Sequence, residues 1–183
     1  MSVATAFPRR SAPTAPRSAQ PVGVRLLFVC MGNICRSPTA EAVMRGLVAQ
    51  EGLQDEIEIG SAGTGSWHVG HPPDRRSTAA AQARGIVMAG AARQVTVADF
   101  DDYDLLLAAD EENVGALRAL APDAEATAKI HLLREYDPDA VAGGDLAVPD
   151  PYYGGPDGFE RVIDLVEAAC RGLLATLRAE RSV

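Results

Sequence analysis

The chain has 183 residues and a net charge of −8, from 17 basic and 25 acidic side chains. That length suits one domain with a real core, and the acidic balance, with no Lys/Arg block, excludes nucleic acid as a partner. Three cysteines without framework spacing point to a reducing compartment, and no apolar run approaches the roughly 18 residues of a membrane span.

Residues 1–23 are rich in Pro, Ala, Ser and Arg and lack hydrophobic periodicity, so a disordered tail is expected there. Arg9, Arg10 and Arg17 are its only charges, and losing those three positive charges takes the remainder from −8 to −11. The Arg9-Arg10 pair is no export signal, because no apolar core follows it. The run Val24, Leu26, Leu27, Phe28, Val29 predicts a buried strand ending at Cys30. Beyond a tight loop, Ser37 and Pro38 suit an N-cap followed by proline at the first helical position. Ala40, Val43, Met44, Leu47 and Val48 then share one helical face.

After a break at Gly52, Ile57 to Ile59 alternates as a short strand, and Ser61 to Gly65 has loop composition, extended by His71 to Asp74. That loop holds the chain's single tryptophan, Trp67, which either fills the core or meets a ligand. Ser77 to Arg84 predicts a helix ending at Gly85, and Val95 to Val97 a weak strand or turn. Tyr103 to Ala109 predicts a second buried parallel strand, with Asp110 at its carboxyl end opening a helix to Leu120. Lys129 to Leu133 suits a further strand, and Asp137 to Gly158 a long Pro/Gly/Asp-rich connection. Phe159, Val162, Ile163, Val166, Cys170, Leu173, Leu174 and Leu177 make the clearest helical stripe, with Cys170 a core residue.

Strands alternating with helices predict a single α/β domain with an open, mostly parallel sheet covered on both faces. Ligands of such sheets bind at the carboxyl ends of the strands, where Cys30 and Asp110 fall. The loop from Cys30 to Arg36 joins a strand end to a helix start, so its free N–H groups and the helix dipole make an anion site. A thiol at one end and a guanidinium at the other suggest a phosphoryl group under attack. The donors that bind a phosphate dianion also stabilise a thiolate. Arg36 can grip two oxygens through its planar fork. Gly32 allows a tight fold, Asn33 tolerates a left-handed backbone, and Ser37 can donate to the sulfur. Asp150, in a Pro-flanked loop before Tyr152 and Tyr153, is the best proton donor for the departing oxygen.

The segment from Cys30 through Met31, Gly32, Asn33, Ile34, Cys35, Arg36 and Ser37 to Pro38, together with Asp150 to Gly155, resembles the low-molecular-weight protein tyrosine phosphatase family, bacterial type. Ser61 to Thr64, Trp67-His68, Pro72 to Asp74, Ala92 to Gln94, Asp99-Phe100, Asp110 to Asn113 and Tyr136 to Pro138 extend the likeness across Val24 to Leu177.

The resemblance implies a phosphatase domain over 24–180 with a four-stranded parallel sheet and its phosphate-binding loop after the first strand. It implies Cys30 as nucleophile, Arg36 as oxygen clamp and Asp150 as acid and then base. Met31 to Cys35 with Ser37 would form the loop, and Trp67, Tyr152 and Tyr153 would line the ring slot. It further implies phosphotyrosine-containing proteins as substrates, inorganic phosphate as product, no cofactor or metal, a monomer or weak dimer, and a cytoplasmic setting. Cys35 matches a second family cysteine able to form a reversible disulfide with the nucleophile. Where members often carry a histidine supporting the loop asparagine, this chain has Gly90, so what holds Asn33 is left open. Arginine phosphatases and arsenate reductases share the scaffold. The former tend to carry threonine in place of Ile34, and the latter need relay cysteines where only Cys170 remains. A non-catalytic phosphate-binding module could dispense with Cys30 or Asp150.

Overall fold

The computed structural model describes residues 23–181, so the expected N-terminal tail lies outside the described residues but for Gly23. In chain order the elements are β1 (Val24–Cys30), α1 (Arg36–Gln50), β2 (Ile57–Gly63), α2 (Arg75–Ala83), α3 (Asp99–Asp102) and β3 (Leu105–Ala108). There follow α4 (Glu111–Leu120), α5 (Ala124–Ala128), β4 (Ile130–Leu132), a 3-10 turn (Leu133–Tyr136), α6 (Pro138–Gly143) and α7 (Pro156–Arg181). The strands form one parallel sheet in the order β2-β1-β3-β4. Among the described residues no helix is long and apolar enough to cross a membrane.

β1 is central, and its side chains sort by parity, as strand geometry requires. Leu26, Phe28 and Cys30 pack towards α1 and α7, whereas Leu27 and Val29 meet Phe100, Leu106, Val114, Leu117 and Ala126 on the opposite face. Both faces are therefore covered, and a continuous apolar run was the right sign of a buried parallel strand. Every member of the α7 stripe is buried, Cys170 completely. α7 also passes close to the 3-10 turn: a Cβ on Gly172 would overlap the Tyr136 carbonyl oxygen.

Several boundaries differ from the sequence expectation, each for a local reason. α1 begins at Arg36 with Cys35 as N-cap, and no side chain caps it, so Ser37 and Pro38 lie inside the first turn. The Ser37 hydroxyl is thereby released for the loop. β2 runs on to Gly63, taking in Ser61 and Ala62, because pairing with β1 through Cys30 outweighs their turn composition. α2 starts at Arg75, two residues early, because Asp74 is its N-cap and accepts from the Arg76 N–H at 2.8 Å. Near Val95 only an isolated bridge, Gly63 to Gln94, survives. The long connection from Asp137 is interrupted by α6: Asp137 caps it, Pro138 takes the first turn, and Gly144 ends it with φ 71°. Pro156 then opens α7.

A partly buried ion pair, Arg93 with Asp99, fixes the segment between α2 and α3. Asp99, 5% exposed, accepts from Arg93 Nη1 at 3.0 Å and Nη2 at 2.8 Å, and from the Thr96 N–H at 2.7 Å. Burial alone would raise the Asp99 pKa, but the Arg93 and Thr96 hydrogen bonds outweigh it and hold the carboxyl below its usual range.

Replacing Gly172 with Ala should destabilise the protein by about 1–3 kcal/mol in denaturant titration, because the Tyr136 clash outweighs alanine's helix propensity. Neutral or raised stability would show that α7 and the 3-10 turn can separate freely. Asp99→Asn should cost about 2 kcal/mol at neutral pH. A carboxyl held low when folded contributes stability above its unfolded pKa and loses it as pH falls through the folded value. The Tm difference between wild type and Asp99→Asn should therefore close as pH drops below about 4. A difference that persists unchanged at low pH would contradict this.

Candidate active site

The sheet order places the switch point between β1 and β3, and both strands end there beside the loop from Met31 to Cys35. Asn33 makes the turn with φ 55°, a left-handed backbone that its short polar side chain tolerates. Its N–H points at Cys30 Sγ, 3.3 Å away, and Ser37 Oγ lies 3.0 Å from the same sulfur. Cys30 is 3% exposed, so these polar contacts replace water around it.

The loop is held from behind through the Asn33 side chain. Nδ2 donates to Ser37 Oγ at 2.8 Å and Ser61 Oγ at 2.9 Å, while Oδ1 accepts from the Arg93 N–H at 2.9 Å. Ser61 in turn donates to Glu41 Oε2 at 2.6 Å, and Arg45 grips Glu41 Oε1 through Nε and Nη2. Asn33 thus has three protein partners and needs no histidine at Gly90. Extension of β2 to Gly63 is what brings Ser61 within reach, and the Arg93–Asp99 pair steadies the backbone N–H.

Arg36 is 4% exposed and held in a fixed direction. Nη1 donates to Asp110 Oδ2 at 2.5 Å and to the Val148 carbonyl at 3.1 Å, and Nη2 lies 3.5 Å from Asp150 Oδ2. Burial draws its pKa down, but the charge on Cys30 and the bond to Asp110 outweigh that and leave it raised. Asp110 serves two ends at once: Oδ1 caps α4 by accepting from the Asn113 N–H at 2.9 Å. Sequence reasoning put Asp110 at a strand's carboxyl end without giving it a role at the site. The sequence carried no sign of it, because the burial of Arg36 that demands a carboxylate neighbour emerges only in the fold.

These groups open into a cleft of about 340 Å³. Cys30, Met31, Gly32, Ile34, Cys35 and Arg36 form part of its lining, and Trp67, Asp150, Tyr152 and Tyr153 line it too. Asn33 and Ser37, both buried, do not line it and reach the site through the Cys30 sulfur. Asp150 has a side chain 45% exposed and accepts from the Tyr152 N–H at 3.1 Å. Trp67 is 72% exposed, so its indole does not fill the core. It lies on the Gly65 backbone, where any Cβ would collide with the ring. Tyr152 and Tyr153 meet edge to face at 4.9 Å. His68 also lines the cleft, packed where a Gly32 Cβ would touch its ring, and was not among the expected site residues. Its place beside Trp67 was the one sequence hint.

The three thiols are free and differ in environment. Burial pushes Cys35 up to about 12, against an opposing hydrogen bond from Ser77, so it stays protonated near neutrality. Cys170, completely buried on α7, is raised by the same desolvation.

A family model described as low molecular weight phosphotyrosine protein phosphatase matches residues 25–183. A Streptomyces coelicolor low molecular weight protein-tyrosine-phosphatase is 53% identical over 156 residues, covering 85% of this chain and 94% of that protein. The crystal structure of YfkJ from Bacillus subtilis superposes with a TM-score of 0.80 at 42% identity, covering 88% of this chain and 99% of YfkJ. A Drosophila arginine phosphatase structure has a TM-score of 0.76 at 33% identity, covering 82% and 96%. Sequence and fold agree over nearly the whole described chain: it belongs to the low molecular weight phosphotyrosine protein phosphatase family.

Proposed function

We propose that this protein hydrolyses phosphotyrosine in proteins through a cysteinyl-phosphate intermediate. The observation that carries the reading is convergence: the Cys30 thiol, the Arg36 guanidinium and the Asp150 carboxyl share one cleft walled by Trp67 and Tyr152. The Cys30 thiolate attacks phosphorus in line, forming the S–P bond as the bond to the phenolic oxygen breaks. Asp150 delivers a proton to that oxygen and tyrosine leaves. Water, deprotonated by Asp150, then attacks phosphorus from the vacated side, and the S–P bond breaks to give inorganic phosphate and thiolate. Arg36, the loop N–H groups and the helix dipole neutralise the charge on the equatorial oxygens throughout. The Ser37 hydroxyl, 3.0 Å from Sγ, steadies the sulfur as it departs. No metal or organic cofactor enters these steps, and one chain carries every group named. Three free thiols suit a reducing compartment, so we assign the cytoplasm.

Ile34 presents an apolar side chain to the cleft, which favours an aromatic ester over the polar guanidine of phosphoarginine. Arsenate reduction lacks its relay, because the thiol beyond the loop, Cys170, is locked in the core.

Wild type should hydrolyse phosphotyrosine peptides and leave phosphoserine and phosphoarginine peptides essentially untouched. Cys30→Ser should show no turnover, and Asp150→Ala should lower kcat by about 10²–10⁴-fold. Acid quench should trap labelled phosphate on wild type and none on Cys30→Ser. Preference for phosphoarginine would overturn the substrate assignment, and turnover by Cys30→Ser would overturn the mechanism. Under peroxide, Cys30 oxidised to sulfenic acid condenses with the Cys35 thiol, releasing water and leaving a disulfide that a dithiol reductant reopens. Cys35→Ser should recover less activity than wild type after peroxide and then reductant; equal recovery would remove the protective role.

A further inference from the structure

Asp150 sits in an irregular stretch between α6 and α7, with nearly half its side chain open to solvent. A general acid must lie within hydrogen-bond reach of the oxygen it protonates, and a misplacement of about 1 Å costs on the order of 10²-fold. Something must therefore stiffen the stretch. On the N-terminal side, Arg134 Nη1 donates to the Ala147 carbonyl at 2.8 Å, Val148 N–H donates to Ala109 O at 2.7 Å, and Arg36 holds Val148 O.

On the C-terminal side the anchor comes from the start of α2. Arg76 Nη1 donates to the Tyr152 carbonyl at 2.9 Å. Its guanidinium stacks over the Tyr152 ring at 5.2 Å and the buried Phe159 ring at 4.7 Å. Nε and Nη2 bind both oxygens of Asp74, at 3.1 and 2.9 Å, which fixes the plane of the fork. Asp74 is tied to the phosphate loop, since its N–H donates to the Ile34 carbonyl at 2.8 Å. Tyr152 completes the chain, because its own N–H binds Asp150 Oδ1 at 3.1 Å.

We propose that Arg76 is a positioning residue for proton transfer, bracing the Asp150 stretch against the phosphate loop through Asp74 and Tyr152. It touches no reacting atom. It sets the distance between the loop that carries the nucleophile and the carboxyl that carries the proton. A lysine could answer the charge of Asp74 but could not bind it with two nitrogens, stack on two rings and reach the Tyr152 carbonyl at once. The proposal rests on Asp150 acting as general acid.

The test uses aryl phosphates graded from p-nitrophenyl to phenyl phosphate, with Arg76→Ala, Arg76→Lys, Asp150→Ala and the Arg76→Ala/Asp150→Ala double variant. A poor leaving group depends most on the proton, so Arg76→Ala should lower kcat/KM, which reports only the steps up to phenol departure, about tenfold on phenyl phosphate and about twofold or less on p-nitrophenyl phosphate. Arg76→Lys should fall between it and wild type, and carries the same comparison if the alanine variant does not fold. Inhibition by inorganic phosphate should stay unchanged. In the Asp150→Ala background, removing Arg76 should cost nothing further, since both act through one carboxyl. An equal loss of kcat/KM on every ester, or losses that add fully in the double variant, would overturn the role of Arg76 alone. Should Asp150→Ala show no leaving-group dependence, the general-acid reading falls and the proposal falls with it.

Discussion

A guanidinium cannot be sunk to 4% exposure without carboxylate and carbonyl partners, and the arrangement of this protein follows from that constraint at Arg36. Asp110 answers it from the end of β3, Val148 from the stretch leading to Asp150, and the Cys30 sulfur from the end of β1. Each partner arrives on a different part of the chain, so burying one arginine draws three segments into a single crevice. The parallel sheet supplies the geometry, because β1 and β3 are neighbours whose carboxyl ends open on the same side.

The loop itself is shaped as much by what lies behind it as by what faces substrate. Asn33 gives up an ordinary backbone conformation to turn the loop, and its side chain recovers stability through three hydrogen bonds. Two of those bonds reach β2 and the segment after α2, both distant in sequence. The Glu41–Arg45 pair on α1 extends the same support outward, so the helix that begins at Arg36 also braces the turn that precedes it.

Much of this was legible in the sequence, for physical reasons that can be named. The β1 run and the α7 stripe carry strong periodic signals, so burial at Leu26, Phe28, Leu173 and Leu177 follows directly from pattern. Cys30, Arg36 and Ser37 were legible because strand, turn and helix start sit within one short stretch. The strand end at Gly63 was not, because Ser61 and Gly63 have turn chemistry and only pairing with β1 makes them extended. α6 was hidden because Asp137 and Pro138 read as loop until seen as cap and first turn. Asp110 and Arg76 escaped as site residues since their partners lie 74 and 76 positions away, a separation no local pattern encodes.

The chain has a single tryptophan, and the fold spends it at the mouth of the cleft with 72% of its surface in solvent. Indole emission from this protein therefore comes from one place, the lining of the cleft, with no second tryptophan to obscure it. The same exposure makes that signal a poor gauge of global unfolding, because the ring is already wet in the native state. Fluorescence here is an optical handle on cleft occupancy, and circular dichroism is the better observable for the collapse of the core.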